Sequence, residues 1–153
     1  MPKESSSPEV RAIPRSFFRT PLCSDIDQMK ADIGFLGVPF DQGAGTFRRA
    51  GSRSGPDGLR NLQSGVYDYM DLYEDKEGAG FFDMDEQRVF LRGVTMTDCG
   101  NVTILAGNVE DNFQKITSAV HRILGRGAFP VIIGGDHSIT FPCIRAFKDH
   151  EPL

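Results

Sequence analysis

Tryptophan is absent from this chain of 153 residues, and cysteine, histidine and tyrosine occur three times each. Cys23, Cys99 and Cys143 are odd in number and have no paired spacing, so neither a disulfide framework nor a cysteine-rich zinc site is implied. No apolar run approaches the roughly 18 residues that a membrane-spanning helix requires. Met1–Pro21 also lacks the apolar centre of a secretory signal. Positive charge is not in surplus: 17 Lys and Arg stand against 21 Asp and Glu, for a net charge of -4. A chain-wide attraction to nucleic acid or to an acidic membrane is therefore not expected. What remains is the length and apolar content of one soluble domain, with a reduced, cytoplasmic setting as the simplest reading.

The pattern is organised around Pro130-Val131-Ile132-Ile133-Gly134-Gly135-Asp136-His137-Ser138. The β-branched run Val131–Ile133 suits a parallel strand buried on both faces. Gly134 and Gly135 permit a tight turn and close backbone approach. Asp136 or Ser138 can then cap a following helix. His137 is left projecting from the carboxyl end of a strand, where open α/β sheets place their ligands. An imidazole there is a metal ligand, a proton carrier or a satisfied structural histidine.

Upstream, Ile33–Val38 reads as a first buried strand ending at Pro39, Phe40 and Asp41. A loop rich in Gly and Arg follows, with Arg48, Arg49 and Arg53 ahead of Gly55-Pro56. Pro56 suits the first turn of a helix, and Asp57 suits the positive end of its dipole. Such a loop can cradle a phosphate or carboxylate. It lacks the Gly-Lys-Ser/Thr ending of a P-loop, however, and Gly43-Ala44-Gly45 lacks the third glycine of a dinucleotide fingerprint.

Three stretches carry this resemblance: Gly37-Val38-Pro39-Phe40-Asp41, then Arg49-Ala50-Gly51-Ser52-Arg53-Ser54-Gly55-Pro56, then Gly134-Gly135-Asp136-His137-Ser138. Together and in this order they resemble the ureohydrolases, the arginase and agmatinase family, and the agmatinase side in particular. The resemblance implies an arginase-like three-layer α/β/α fold with a parallel sheet. It implies manganese-dependent hydrolysis of a guanidino compound, agmatine or a guanidino acid such as guanidinobutyrate, to urea and an amine. It makes His137 a manganese ligand, with Asp136 and Ser138 orienting the turn and Arg49 and Arg53 at the mouth of the site. It further implies a homo-oligomer, trimeric or hexameric, and a cofactor of two Mn2+ ions.

The family's later ligand motifs, Asp-Ala-His-x-Asp and Asp-x-Asp, are not in this sequence, whose histidines are His121, His137 and His150. The resemblance thus covers the first part of a family domain, ending after a third strand–helix unit. Asp41, Asp98 and Asp136 fall near strand ends and can approach His137, but the resemblance assigns none of them as a ligand. One ligand cannot hold a metal pair, so the chain by itself is expected to be marginally stable and catalytically silent. Its third strand would leave an unpaired edge, a recognised aggregation risk. The alternatives are a silent subunit that associates with full-length homologues, and a small phosphate-binding α/β domain using the arginine loop.

Residues 1–30 read as an irregular arm, separate from a domain over 31–153. In agmatinases the corresponding arm implies packing against a neighbouring subunit, and Phe17 and Phe18 ask for a surface to bury against. Residues 67–92 mix acidic and aromatic side chains and read as a solvated surface, with a mobile turn at Gly78-Ala79-Gly80. Val94–Val102 reads as a second strand and its exit. Family members commonly show Asp-x-Gly-Asp-Val there, so Asn101 is a departure. Val109, Phe113, Ile116, Val120, Ile123 and Leu124 recur at helical spacing behind the N-cap Asn108, with Gly125 and Gly127 as stops. His121 falls on this helix with no chemistry expected. Ile139, Cys143, Ile144 and Phe147 suggest a last helix. The order β-α-β-α-β-α predicts a parallel sheet.

Overall fold

Ile33–Val38, strand β1, is buried along nearly its whole length, and an apolar strand of this kind needs a neighbour on each edge and a layer on each face. The computed structural model, which describes residues 15–43, 50–70 and 80–149, supplies both. In chain order β1 is followed by helix α1 (Gly55–Met70), a short hairpin of β2 (Phe81–Asp83) and β3 (Arg88–Phe90), and strand β4 (Met96–Asn101). Helix α2 (Val109–Gly125), strand β5 (Phe129–Gly134) and helix α3 (Thr140–Arg145) complete the chain. The main sheet has the order β4-β1-β5, with both pairings parallel. The α/β alternation and the parallel sheet expected from the sequence are therefore present.

Two glycines of β1 show the layers. An added Cβ on Gly34 would stand 3.2 Å from Ile123 of α2, and one on Gly37 would stand 3.1 Å from Pro56 of α1. Positions of opposite parity on a strand face opposite ways, so α1 and α2 cover opposite faces. The α2 side holds the larger core, where Ile116, Val120 and Ile123 are fully buried against Leu36 and Val38. Each such side chain contributes about 1.5–3 kcal/mol by leaving water. Asn108 caps α2 by accepting from Asp111 N at 3.1 Å, and Gly127, with φ 72°, turns the chain out of it.

β5 pairs with β1 alone among the described residues. Pro130 sits inside it, opposite Gly34. Phe129 N donates to Asp32 O at 2.7 Å. Donors alternate sides along a strand, so the missing N–H of Pro130 falls on the unpaired edge, where a proline is tolerated.

The other edge, β4, is touched by the segment expected as an arm. Asp98 N donates to Pro21 O at 2.9 Å and Cys23 N donates to Asp98 O at 2.8 Å, which places Leu22 beside Asp98 in a parallel bridge. Phe17 is completely buried, its ring 6.0 Å from that of Phe35, and it heads a short 3-10 turn at Phe17–Arg19. Residues 15–29 thus pack on this chain's own sheet. The arm before them lies outside the described residues.

Three expectations shift. The second strand is Met96–Asn101, two residues later at its start than the apolar pattern suggests, because Val94 N bonds Leu91 O in a turn. Within the stretch read as solvated surface, α1 runs on to Met70 and the β2–β3 hairpin forms. The four-residue turn Met84–Gln87 closes the hairpin, with Asp83 Oδ1 accepting from Asp85 N and Glu86 N. Gly80 is buried, and an added Cβ would lie 2.4 Å from Val89, so this glycine is a packing residue. Gly78 and Ala79 lie outside the described residues.

Candidate metal-site edge

β5 ends at Gly134, and the next two residues dock on the exit of β1. Gly135 N donates to Val38 O at 2.9 Å and Asp136 N donates to Phe40 O at 2.8 Å. An added Cβ on Gly135 would fall 1.7 Å from Phe40 O, so only glycine permits this approach. Asp136, and not Ser138, supplies the cap: its Oδ1 accepts from Ser138 N at 3.0 Å and from the Ser138 hydroxyl. The backbone then turns through a 3-10 segment, His137–Ile139, into α3. His137 is left exposed, with Nδ1 3.5 Å from Thr140 Oγ1. Its backbone is pinned at the carboxyl end of the sheet while the imidazole faces outward.

Asp41, at the exit of β1, is only 5% exposed and accepts from Arg53 Nε at 3.0 Å. The loop beyond it leans on the motif. An added Cβ on Gly43 would lie 2.9 Å from Ser138 Oγ and 3.1 Å from Asp136 Oδ2. Beside this loop a cleft of about 510 Å³ is lined by Asp41, Gln42, Arg53 and Ile104 among others. The larger cavity, about 820 Å³, lies at the opposite ends of the strands, between Phe18, Leu22, Met29, Phe35, Met96 and Leu91. It is remote from His137 and mostly apolar, so the smaller cleft is the one associated with the site.

The structure separates the carboxylates that the sequence places at strand ends. Asp41 and Asp136 belong to the exits of β1 and β5, the same end of the sheet as His137. Asp98 is fully buried within an ion pair. Burial alone would push its carboxyl up, but bonds from Arg60, Phe17 N and Gly100 N outweigh this and hold it below the usual carboxylate range. Arg53 is turned onto Asp41. Arg49, expected at the mouth of the site, lies outside the described residues, as do the other residues of 44–49.

The pattern reading passed over the polar cluster around Arg60. Nε and Nη2 of Arg60 bond the two Asp98 oxygens at 2.8 Å each, and Nη1 bonds Asp57 Oδ1 at 3.0 Å and Asn101 Oδ1 at 2.7 Å. Its guanidinium also lies 3.9 Å over the Phe17 ring. A signal was available: Arg60 stands three residues after Asp57 at the start of a helix, and Asp98 interrupts an apolar strand.

A two-metal site needs several carboxylate and imidazole donors. Among the described residues, no group of three or more His, Cys, Asp or Glu side chains is placed to hold a metal ion. The donor set present is one outward-facing imidazole beside two engaged carboxylates. By themselves these residues do not fit a metal pair, and no catalytic step through one is derived from them. No described helix is long and apolar enough to cross a membrane.

Comparisons with known proteins agree with the fold. Residues 31–153 match the Arginase family. The mitochondrial guanidino acid hydrolase of Rattus norvegicus is 30% identical over 154 residues, which is 99% of this chain and 39% of that protein. The agmatinase of Proteus mirabilis is 31% identical over 134 residues, 88% of this chain and 40% of that one. Among solved structures, the proclavaminate amidino hydrolase of Streptomyces clavuligerus superposes with a TM-score of 0.69 at 26% identity, covering 93% of this chain and 42% of that one. The formiminoglutamase of Trypanosoma cruzi with Mn2+ is similar at a TM-score of 0.53 and 28% identity, covering 76% and 35%. The chain therefore spans about two-fifths of the length of the curated relatives it matches. With a matched region running from β1 to the last residue, and with relatives that share its fold and sequence, the chain belongs to the arginase family.

Proposed function

We propose that this chain contributes one wall of the active site of a manganese-dependent hydrolase, which cleaves a guanidino compound to urea and an amine within a longer parent protein. Agmatine and a guanidino acid such as guanidinobutyrate are the substrates to test, in line with relatives named agmatinase and guanidino acid hydrolase. The observation that carries the reading is His137: an exposed imidazole on a backbone fixed by Gly135 and Asp136, at the strand end where this fold class binds ligands. A guanidinium carbon is a poor electrophile because its charge is spread over three nitrogens, and a divalent metal, when bound, would supply the nucleophile by lowering the pKa of water. His137 is the residue of this chain that would hold Mn2+, with the remaining donors coming from the parent protein. Asp136 fixes the turn through Ser138, and Arg53 holds Asp41 at the rim of the cleft; Arg49 is proposed as a further residue of the active-site mouth. A cytoplasmic location and a homo-oligomeric parent, trimeric or hexameric, complete the proposal, with neither nucleic acid nor membrane as a partner.

The test is urea release from agmatine and from guanidinobutyrate by the longer protein, with Mn2+ added or chelated. His137→Ala should lower Mn2+ affinity and activity by about 100-fold or more. Equal activity and equal Mn2+ affinity in the variant would sink the proposal.

The single imidazole donor favours a second reading for the isolated chain: a catalytically silent partner of full-length homologues. Co-purification with a longer homologue, without bound metal on this chain, is its expected signature. Manganese-dependent urea release from residues 1–153 alone would overturn it.

A further inference from the structure

We infer that Cys23 and Cys99 form a redox modification site, in which an intrachain disulfide fastens the segment carrying Pro21–Cys23 to the edge of β4. This inference does not depend on the catalytic reading. The register carries it. Leu22 lies beside Asp98 in a parallel bridge, with Asp98 N bonded to Pro21 O and Cys23 N bonded to Asp98 O. The second of these bonds sets Cys23 beside the Asp98–Cys99 peptide. Neighbouring strands lie about 4.8 Å apart, inside the Cα separation of about 4.4–6.8 Å that a disulfide spans.

Both side chains lie on one face of the sheet. Here that face is the α2 side, where Cys99 Sγ lies 3.5 Å from Met29 Sδ and both cysteines pack against the same apolar cluster. Both are free thiols, and Cys23 Sγ donates to Asp25 O at 3.1 Å. Bond formation needs the Cβ atoms to close to about 3.8 Å. The strand pairing on the Cys23 side is an isolated bridge and not a ladder, so that segment can make the small approach.

The chemistry requires a two-electron oxidant, and hydrogen peroxide is the one proposed. Cys23 releases its proton and, as thiolate, attacks a peroxide oxygen; the O–O bond breaks, leaving Cys23 sulfenic acid, and the departing hydroxide takes up the released proton as water. The Cys99 sulfur then attacks the Cys23 sulfur, the S–O bond breaks, and the departing hydroxide takes the Cys99 proton to leave as water. In sum, two thiols lose two electrons and two protons to one peroxide, giving the disulfide and two waters. The order of the cysteines follows from their settings. Burial, with Cys23 and Asp98 adding to it, pushes the Cys99 thiol up to about 12, so Cys99 resolves the link and does not start it. Reversible links of this sort are the kind found in reducing compartments.

The link would also reach the buried ion pair. Phe17 N, on the same segment, donates to Asp98 Oδ2 at 2.9 Å, so tethering the segment holds the cover over Arg60 and Asp98 in place. The full chain is treated with hydrogen peroxide, alkylated under denaturing, non-reducing conditions, digested and analysed by mass spectrometry. The expected product is a peptide pair joined through Cys23 and Cys99, with Cys143 alkylated. Oxidation should raise Tm by about 5 °C, and a thiol reductant should reverse both changes. Cys143→Ser should retain the link and Cys23→Ser should lose it. Cys23 found as a sulfinic acid with Cys99 still alkylated, or a link to Cys143 or to a second chain, would overturn the inference.

Discussion

Arg60 grips both oxygens of Asp98 across the junction of α1 and the sheet, Nε to Oδ2 and Nη2 to Oδ1, each at 2.8 Å. The carboxylate is fully buried and the arginine side chain nearly so. A buried pair of this kind costs desolvation to form, so its net worth is small, but breaking it leaves an uncompensated charge. Arg60→Ala should therefore destabilise the chain by about 3–5 kcal/mol in denaturant unfolding. A loss below about 1 kcal/mol would show that water reaches Asp98.

The same pair sets an acid limit. The folded chain holds the Asp98 carboxyl below its ordinary value of 3.8, through Arg60 and two backbone N–H groups that overcome burial. The stability linked to Asp98 is thus complete above that ordinary value and is lost as pH falls through the lower folded one. Tm should decline as pH drops below about 4, and Asp98→Asn should flatten that limb. An unchanged acid profile in the variant would assign the limb to other carboxylates.

Asn101 stands where family members commonly carry aspartate, and the structure accounts for an amide there. Its Oδ1 accepts from Arg60 Nη1, and its Nδ2 donates to Asp57 Oδ1 at 3.0 Å. A carboxylate can do the first but not the second. Asn101→Ala should cost about 1 kcal/mol, most of it from the acceptor removed from Arg60. Thermal unfolding of the variant at neutral pH checks this, and no change in Tm would mean that solvent replaces the amide.

Gly135→Ala should be far more damaging than its size suggests, because the new Cβ would meet Phe40 O at 1.7 Å. The backbone bonds of residues 135 and 136 to the β1 exit would have to part, at about 3 kcal/mol. Circular dichroism melts would read the loss. An alanine variant as stable as the parent would mean that the β5 exit does not dock as described.

His137→Ala should leave stability within about 0.5 kcal/mol, as expected of an exposed side chain whose polar neighbour among the described residues is Thr140 Oγ1 at 3.5 Å. A large loss of stability would instead make His137 a structural residue. The measurement is a denaturant midpoint on this chain, independent of any activity.

Much of the architecture was legible in the sequence because its signals are local. Ile33–Val38 is a continuous apolar run, α2 repeats its apolar positions at helical spacing, and Asn108 and Gly127 bracket it. The Gly-Gly-Asp-His-Ser turn was legible for the same reason: each residue type answers a requirement of its own backbone or of the next residue. The β2–β3 hairpin was not, since strands of three residues carry too little alternation to stand out from an acidic, aromatic stretch.

What only the tertiary structure decided concerns partners far apart in the chain. The sequence by itself determined β1, α2 and β5 and which turn presents His137. It could not determine that Asp98 belongs to Arg60 and Asp41 to Arg53, because those choices are made by strand order and helix placement. Nor could it show that the Pro21–Cys23 segment lies along β4, where a single bridge brings Cys23 beside Cys99. Local propensity is written in neighbouring residues, whereas ion pairs, thiol pairs and sheet edges depend on which surfaces the folded chain brings within a few ångströms of each other.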